Sequence, residues 1–229
     1  MIGIIGAMEI EVENLISVMT DRNSETISGI VFYMGKIENT NCVVAKCGVG
    51  KVAAAVCAQT MILKYGTDAL INVGVAGGIG KEIHIGDIVV STGLVQHDMD
   101  TTALGDEKGL ISGLNLVTIP ASKRLSYLVA ATAQNIYGKG VHTGIIATGD
   151  QFIGDVGTLN KIAEEFGASA CEMEGGSIAQ VCYMNQIEFV VIRAISDNAN
   201  EAAKVDFPTF AASSARKSAE LIRKVLPNI

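Results

Sequence analysis

Short apolar runs rich in β-branched side chains recur near residues 2–6, 30–36, 42–47, 69–74, 87–95, 141–147 and 188–195. Between them, apolar positions fall at spacings of three and four near 9–19, 50–65, 122–137, 156–166, 175–185 and 207–226. The first pattern predicts strands and the second amphipathic helices. Their interleaving predicts an α/β fold. Ala69-Leu70-Ile71-Asn72-Val73 and Phe189-Val190-Val191-Ile192 are apolar at nearly every position, which a strand can afford only when both faces are covered. The expected architecture is three-layered, α/β/α, with a central twisted mixed sheet flanked by helices.

Only Pro120, Pro208 and Pro227 punctuate the chain, and no Gly/Ser linker or charge run divides it, so residues 1–229 read as a single domain. Pro208 after Asp206 is suited to start the last helix. The polar, glycine-containing stretch 97–121 is long for a plain connection and reads as a binding loop or lid. Met1 to Gly6 lacks a basic leader and is too short for a signal core, so it reads as a first strand. The longest apolar stretch, Ala69 to Gly80, falls short of the roughly 18 residues of a membrane span. A soluble cytoplasmic protein is expected.

With 229 residues, 49% of them hydrophobic and 18% charged, the chain can bury a large core. Its net charge of −7 supplies no basic face for nucleic acid and leaves a small neutral or cationic ligand open as a partner. Cys42, Cys47, Cys57, Cys171 and Cys182 lie in or beside apolar runs without C-x-x-C spacing. They read as buried thiols of a reducing compartment.

Two acidic clusters near the C-terminal end are the most telling polar features: Glu172-Met173-Glu174 and Arg193-Ala194-Ile195-Ser196-Asp197, each beside an apolar segment. A carboxylate at the end of a buried strand is costly unless paired, so these acids are expected to face a ligand-sized cleft. Glu9, Glu11 and Glu13 open the first helix, where acids complement the helix dipole. Glu9 and Glu13 share a face while Glu11 points elsewhere, so Glu11 is the one free to turn toward the end of the first strand. Gly48-Val49-Gly50-Lys51-Val52-Ala53 loosely fits a dinucleotide-binding pattern, but the acid at suitable spacing, Asp68, precedes its strand rather than following it. A plain strand-to-helix turn is the better reading. Gly74 to Gly80 is open between a flexible turn and a backbone that backs a ligand. His97-Asp98-Met99-Asp100 has no further histidine nearby, so it reads as a loop held by Asp hydrogen bonds rather than a metal site.

Together, Gly3-Ile4-Ile5-Gly6-Ala7-Met8-Glu9-x-Glu11, Gly48-x-Gly50-Lys51, Asn72-x-Gly74-x-Ala76-Gly77-Gly78, Gly86-Asp87, His97-Asp98, Gly149-Asp150-x-Phe152-Ile153 and the two acidic clusters resemble the 5′-methylthioadenosine/S-adenosylhomocysteine nucleosidases, within the purine nucleoside phosphorylase superfamily. The resemblance runs in order along the whole chain. It implies hydrolysis of an N-glycosidic bond without metal or organic cofactor, in a homodimer whose partner subunit completes the 5′ end of the pocket.

By that resemblance Asp197 gives a proton to N7 of adenine, which an ordinary Asp pKa of about 3.9 does not allow unless the site raises it. Glu11 deprotonates the attacking water, and Arg193 places Glu11 and the water. Glu174 takes the ribose hydroxyls, Met173 packs beneath the sugar, and Phe152 and Ile153 cover the base. Phe207 walls the 5′ substituent and Ser196 orients Asp197. Met8, Val75, Ala76, Gly77, Glu172 and Leu104 complete the implied substrate contacts. The chain departs from the family pattern at Val75, where a Ser is usual and whose hydroxyl is lost near ribose and water; this implies lower activity. Leu104 and Asp106 replace lid aromatics, and Gly175-Gly176 is unusual. The alternatives are a phosphate-dependent purine nucleoside phosphorylase, for which the expected cationic groups are missing, hydrolysis of a related adenine nucleoside such as 5′-deoxyadenosine or aminodeoxyfutalosine, and a non-catalytic adenine-nucleoside-binding protein. An oxidoreductase is more distant.

Overall fold

The computed structural model of the chain describes residues 1–80, 82–197 and 203–229, except for the side chains of 203–209. The strands are β1 (Ile2–Gly6), β2 (Thr20–Ile27), β3 (Ile30–Ile37), β4 (Thr40–Lys46), β5 (Ala69–Gly78), β6 (Ile88–Gln96), β7 (Ile119–Pro120), β8 (Val141–Thr148), β9 (Ala168–Glu172) and β10 (Glu188–Asp197). The α-helices are α1 (Glu9–Ser17), α2 (Lys51–Tyr65), α3 (Lys123–Tyr137), α4 (Val156–Phe166), α5 (Gly175–Asn185) and α6 (Ala203–Val225). The predicted elements are all present. β2, β7 and β9 are additional, and β5 runs four residues past its expected end to include Val75, Ala76 and Gly77. The last helix starts at Ala203 rather than at Pro208, which falls inside its second turn.

The strands join in one mixed sheet in the order β10-β6-β8-β9-β5-β1-β4-β3-β2, and β10 also pairs with β5, so five strands close on themselves. β4, β1, β5 and β10 run parallel and present their carboxyl ends at one place, where ligands of open α/β sheets bind. Helices cover both faces. Ala54, Cys57, Ala58 and Met61 of α2 join Ile178, Ala179 and Cys182 of α5 in one core cluster. Val12 and Leu15 of α1, Leu125 and Val129 of α3, and Leu221 and Ile222 of α6 build a second, and Leu159, Ile162 and Phe166 of α4 a smaller third. All five cysteines are free thiols in buried positions.

Local chemistry sets the helix starts nearest the site. α1 has no oxygen-bearing side chain at its N-cap, Met8, so the carboxylate of Glu11 reaches back to accept from the amides of Ala7 (2.7 Å) and Met8 (2.9 Å). Glu9 instead stays exposed and pairs with Lys46 at 2.8 Å, and Glu13 is exposed. The chain enters α2 through Gly50 at φ +99°, a conformation that suits glycine.

Candidate active site

Ala7, Met8, Glu11, Val49, Val75, Ala76, Gly77, Phe152, Cys171, Glu172, Met173, Glu174, Ser196 and Asp197 line a cavity of about 560 Å³ at the carboxyl ends of the central strands. A smaller recess adjoins it, lined also by Gln151, Ile153 and Leu159. Acids far apart in sequence meet here because β1, β5, β9 and β10 end side by side. Glu11 arrives from the first turn of α1, Glu174 from the junction of β9 with α5, and Asp197 from the last residue of β10. The pairing of β10 with β5 shifts register between Ile195 and Asp197; such an irregularity re-aims a strand end. Ser196 Oγ donates to Asp197 Oδ2 at 3.0 Å.

Beneath the cavity lies Arg193, a charged residue within an otherwise apolar stretch of β10 and only 1% exposed. Its Nη2 donates to Glu172 and to Asn72 Oδ1 (2.6 Å), and stands 3.6 Å from Glu174. The neighbouring strand makes room through Gly74, which pairs with Arg193 across the ladder. A Cβ at Gly74 would overlap Arg193 Nη1 and lie 2.7 Å from Glu11 Oε1. Arg193 therefore supports the acids from behind and does not itself line the cavity.

Glu172 was expected to touch substrate. It reaches the wall, but both its oxygens are engaged within the protein: Oε1 by Thr148 and Gly175 N (3.0 Å), Oε2 by Arg193, Glu174 N (3.0 Å) and Gly175 N (2.8 Å). It sits on the N-terminus of α5, where backbone amides favour an anion. Glu174 keeps more freedom. Its Oε1 accepts from Gly50 N at 2.9 Å, so the turn read as a plain connection fixes an acid of the site, and its Val49 lines the cavity.

Burial pushes the carboxyl of Glu11 up, against the pull of Arg193 and of the Met8, Val75 and Ala7 amides. Burial, then the adjacent Glu172, raise Glu174 to about 7, with Arg193 and Gly50 opposing. Burial works against the charge of Arg193, but Glu172, Glu174 and Glu11 outweigh it and hold its pKa above the ordinary value. Cys171 is pushed up to about 12 by burial and is a neutral part of the wall. Among the described residues, no group of three or more His, Cys, Asp and Glu side chains is arranged to hold a metal ion.

Sequence and structural relatives agree with this geometry. The sequence model of the phosphorylase superfamily matches residues 1–227. A 5′-methylthioadenosine/S-adenosylhomocysteine nucleosidase of Shewanella sp. (strain MR-7) is 43% identical over 232 residues, covering 100% of this chain and 97% of the relative. The chain belongs to this nucleosidase family of the phosphorylase superfamily. The nucleosidase of Neisseria meningitidis, solved in complex with methylthio-immucillin-A, superimposes with a TM-score of 0.95 at 33% identity, covering 100% of this chain and 99% of the other. The futalosine hydrolase of Helicobacter pylori superimposes with a TM-score of 0.94 at 34% identity, covering 100% and 97%.

Of the residues singled out in the sequence, the structure gathers Met8, Glu11, Val75, Ala76, Gly77, Phe152, Met173, Glu174, Ser196 and Asp197 around the cavity, with Ile153 in the adjoining recess. Leu104 stands apart, 83% exposed in the 102–104 turn and outside the cavity of its own chain. The side chain of Phe207 lies outside the described residues. Ala7, Val49 and Cys171 had escaped the sequence reading because small apolar residues carry no chemical signal. The roles of Asn72, named in the sequence only as part of a motif, and of Thr148, in bracing Arg193 and Glu172, depend on pairing across strands and are not legible in the sequence.

Proposed function

We propose that this chain hydrolyses the N-glycosidic bond of 5′-methylthioadenosine and S-adenosylhomocysteine, releasing adenine and the 5-thio-substituted ribose. The observation that carries the reading is the convergence of Glu11, Glu174 and Asp197 on one cavity whose remaining wall is largely apolar. Asp197, hydrogen-bonded to Ser196, delivers a proton to N7 of the base. The bond between C1′ and N9 breaks with its electron pair passing to the purine, which leaves neutral. Water attacks the oxocarbenium-like C1′, and its proton passes to Glu11. Burial, which raises Glu11, makes it a better base for that proton than an exposed carboxylate.

Glu174 accepts from the ribose hydroxyls while Gly50 holds its other side. Phe152 and Ile153 cover the base and Met173 lies under the sugar. Arg193 and Glu172 act as positioning residues: one cation balances three buried acids and keeps them at fixed spacing. An apolar 5′ pocket tolerates extra methylenes at small cost, so both methylthio and homocysteinyl groups are admitted. The proton transfers balance without a cofactor.

The chain works as one domain in a homodimer. Val52, Val56 and Leu63 form an exposed apolar stripe along α2, a surface that a second copy would cover, and Leu104 then reaches the 5′ end of the partner's pocket. Five buried free thiols suit a reducing cytoplasm. The test is incubation with methylthioadenosine, S-adenosylhomocysteine and aminodeoxyfutalosine, with and without phosphate, while free adenine and sugar are quantified. Adenine and thioribose formed without phosphate support the reading. An obligatory phosphate requirement with a sugar 1-phosphate product would overturn it, and turnover of aminodeoxyfutalosine alone would move the substrate assignment.

A further inference from the structure

Three chain segments at the cavity mouth are tied into a ring by polar groups that the chemistry above leaves unused. Lys51, at the start of α2, places Nζ 2.7 Å from Asp98 Oδ1, and both side chains are about four-fifths buried, at 19% and 21% exposure. The other oxygen of Asp98 accepts from the amide of Asp150 at 2.9 Å. Asp150 in turn accepts the amide of Lys51 on Oδ1 at 2.8 Å. Each residue of the ring thus touches the other two.

The ring is anchored behind and productive in front. Behind it, Lys51 Nζ also reaches Gln96 Oε1 (3.3 Å), and Gln96 Nε2 donates to Gln180 Oε1 of α5 (2.7 Å). The imidazole of buried His97 packs against Gly149, leaving no room there for a Cβ. In front, Gly50 immediately precedes Lys51 and holds Glu174, while Val49 and Phe152 line the cavity from either side of the ring. A Cβ on Gly50 would lie 3.0 Å from Asp150 Oδ1, so the two segments are in direct contact.

We propose that Asp98, together with Lys51, is a positioning pair that sets the distance between the sugar-holding acid Glu174 and the base-covering Phe152. Asp98 is the keystone because it alone takes both the charge of Lys51 and the amide of Asp150. Cutting it removes two of the three ties of the ring, leaving the jaws joined there only by the Lys51 amide on Asp150, and makes no direct change at Glu11 or Asp197. This assignment of roles to the jaws rests on the nucleosidase reading; the ring itself does not.

Two measurements test the pair. In steady-state hydrolysis of methylthioadenosine, Asp98→Ala lowers kcat/KM by roughly 10- to 100-fold, since misplacement of about 1 Å has that order of effect. The loss falls mainly on KM, because the released contacts are with parts of the substrate that do not react. Lys51→Met reproduces the loss, Lys51→Arg restores most of it, and the double variant Asp98→Ala/Lys51→Met is no worse than either single one. In hydrogen exchange of the free protein, Asp98→Ala accelerates the amides of residues 48–51 and 149–153 and leaves those of β10 unchanged. An unchanged KM, additive single effects, or exchange rising evenly over the molecule would each overturn the proposal; Asp98→Asn provides a milder second variant. The exchange arm needs no substrate, so a wild-type protein that hydrolyses none of the nucleosides sinks the functional reading and not the ring.

Discussion

Replacing Glu174 by Gln should make the protein more stable and less active, and the stability gain should depend on pH. The acid is held in the native state with a pKa of about 7 instead of the ordinary 4.5. Between those two values the folded chain binds a proton that the unfolded chain has already lost, so stability falls as pH rises through the window and stays lowered above it. At about 1.4 kcal/mol per pKa unit, the full loss is about 3 kcal/mol at pH 8 and nearly nothing at pH 4.5. Gln keeps an oxygen for the Gly50 amide and carries no charge to be desolvated, so Glu174→Gln avoids the loss. For a chain of this length the gain corresponds to a rise in Tm of roughly 6–12 °C at pH 8. Thermal and urea unfolding at fixed protein concentration, from pH 5 to pH 8, follow the difference directly. A variant less stable than wild type at pH 8, or a gain equal at both ends of the range, would refute the reasoning. The same samples should show weakened hydrolysis, the usual exchange of stability for activity at a strained site.

Asp197→Asn should fold normally and lose on the order of 10²- to 10⁴-fold in kcat, the range for removing a general acid, checked by adenine release; near-wild-type turnover would remove Asp197 from its role. Arg193→Met leaves three buried carboxylates without their cation and should cost about 3–5 kcal/mol at pH 8, with a smaller deficit at pH 5 where the acids can take up protons, as read by urea denaturation at both values. Gly74→Ala presses a Cβ against both Arg193 and Glu11 and, in the proposed mechanism where Glu11 takes the proton of the attacking water, should lower kcat more than it raises KM; an unchanged kcat would show that the contact relaxes freely.

The fold was legible wherever burial imposes a period on the sequence. Strands such as Phe189 to Ile192 are covered on both faces and announce themselves, and helices with one buried stripe, such as α3, do likewise. β2 escaped because Thr20 to Ile27 is largely polar and mostly exposed, and its ladder pairing is with β3. β9 is five residues long and built largely from small side chains. The acids of the site were visible because charge beside an apolar run is unusual. The division of labour among them was not visible: Glu172 and Glu174 are two residues apart in sequence, yet one is enclosed by amides, Thr148 and Arg193 while the other faces the cavity. The ring of Lys51, Asp98 and Asp150 was hidden for the same reason, since its members are joined by tertiary contacts alone.

Closure of five strands at one end of the sheet leaves β2 as the long outermost strand at the other. Its unpaired backbone groups are an invitation to any other extended chain, and Asp21, Arg22 and Glu25, with Lys36 bound to Asp21, surround that margin with charge. Proteins guard such margins against amyloid-like stacking in this way. The polar stretch that obscured β2 in the sequence therefore places charge along the margin where edge-to-edge joining would start.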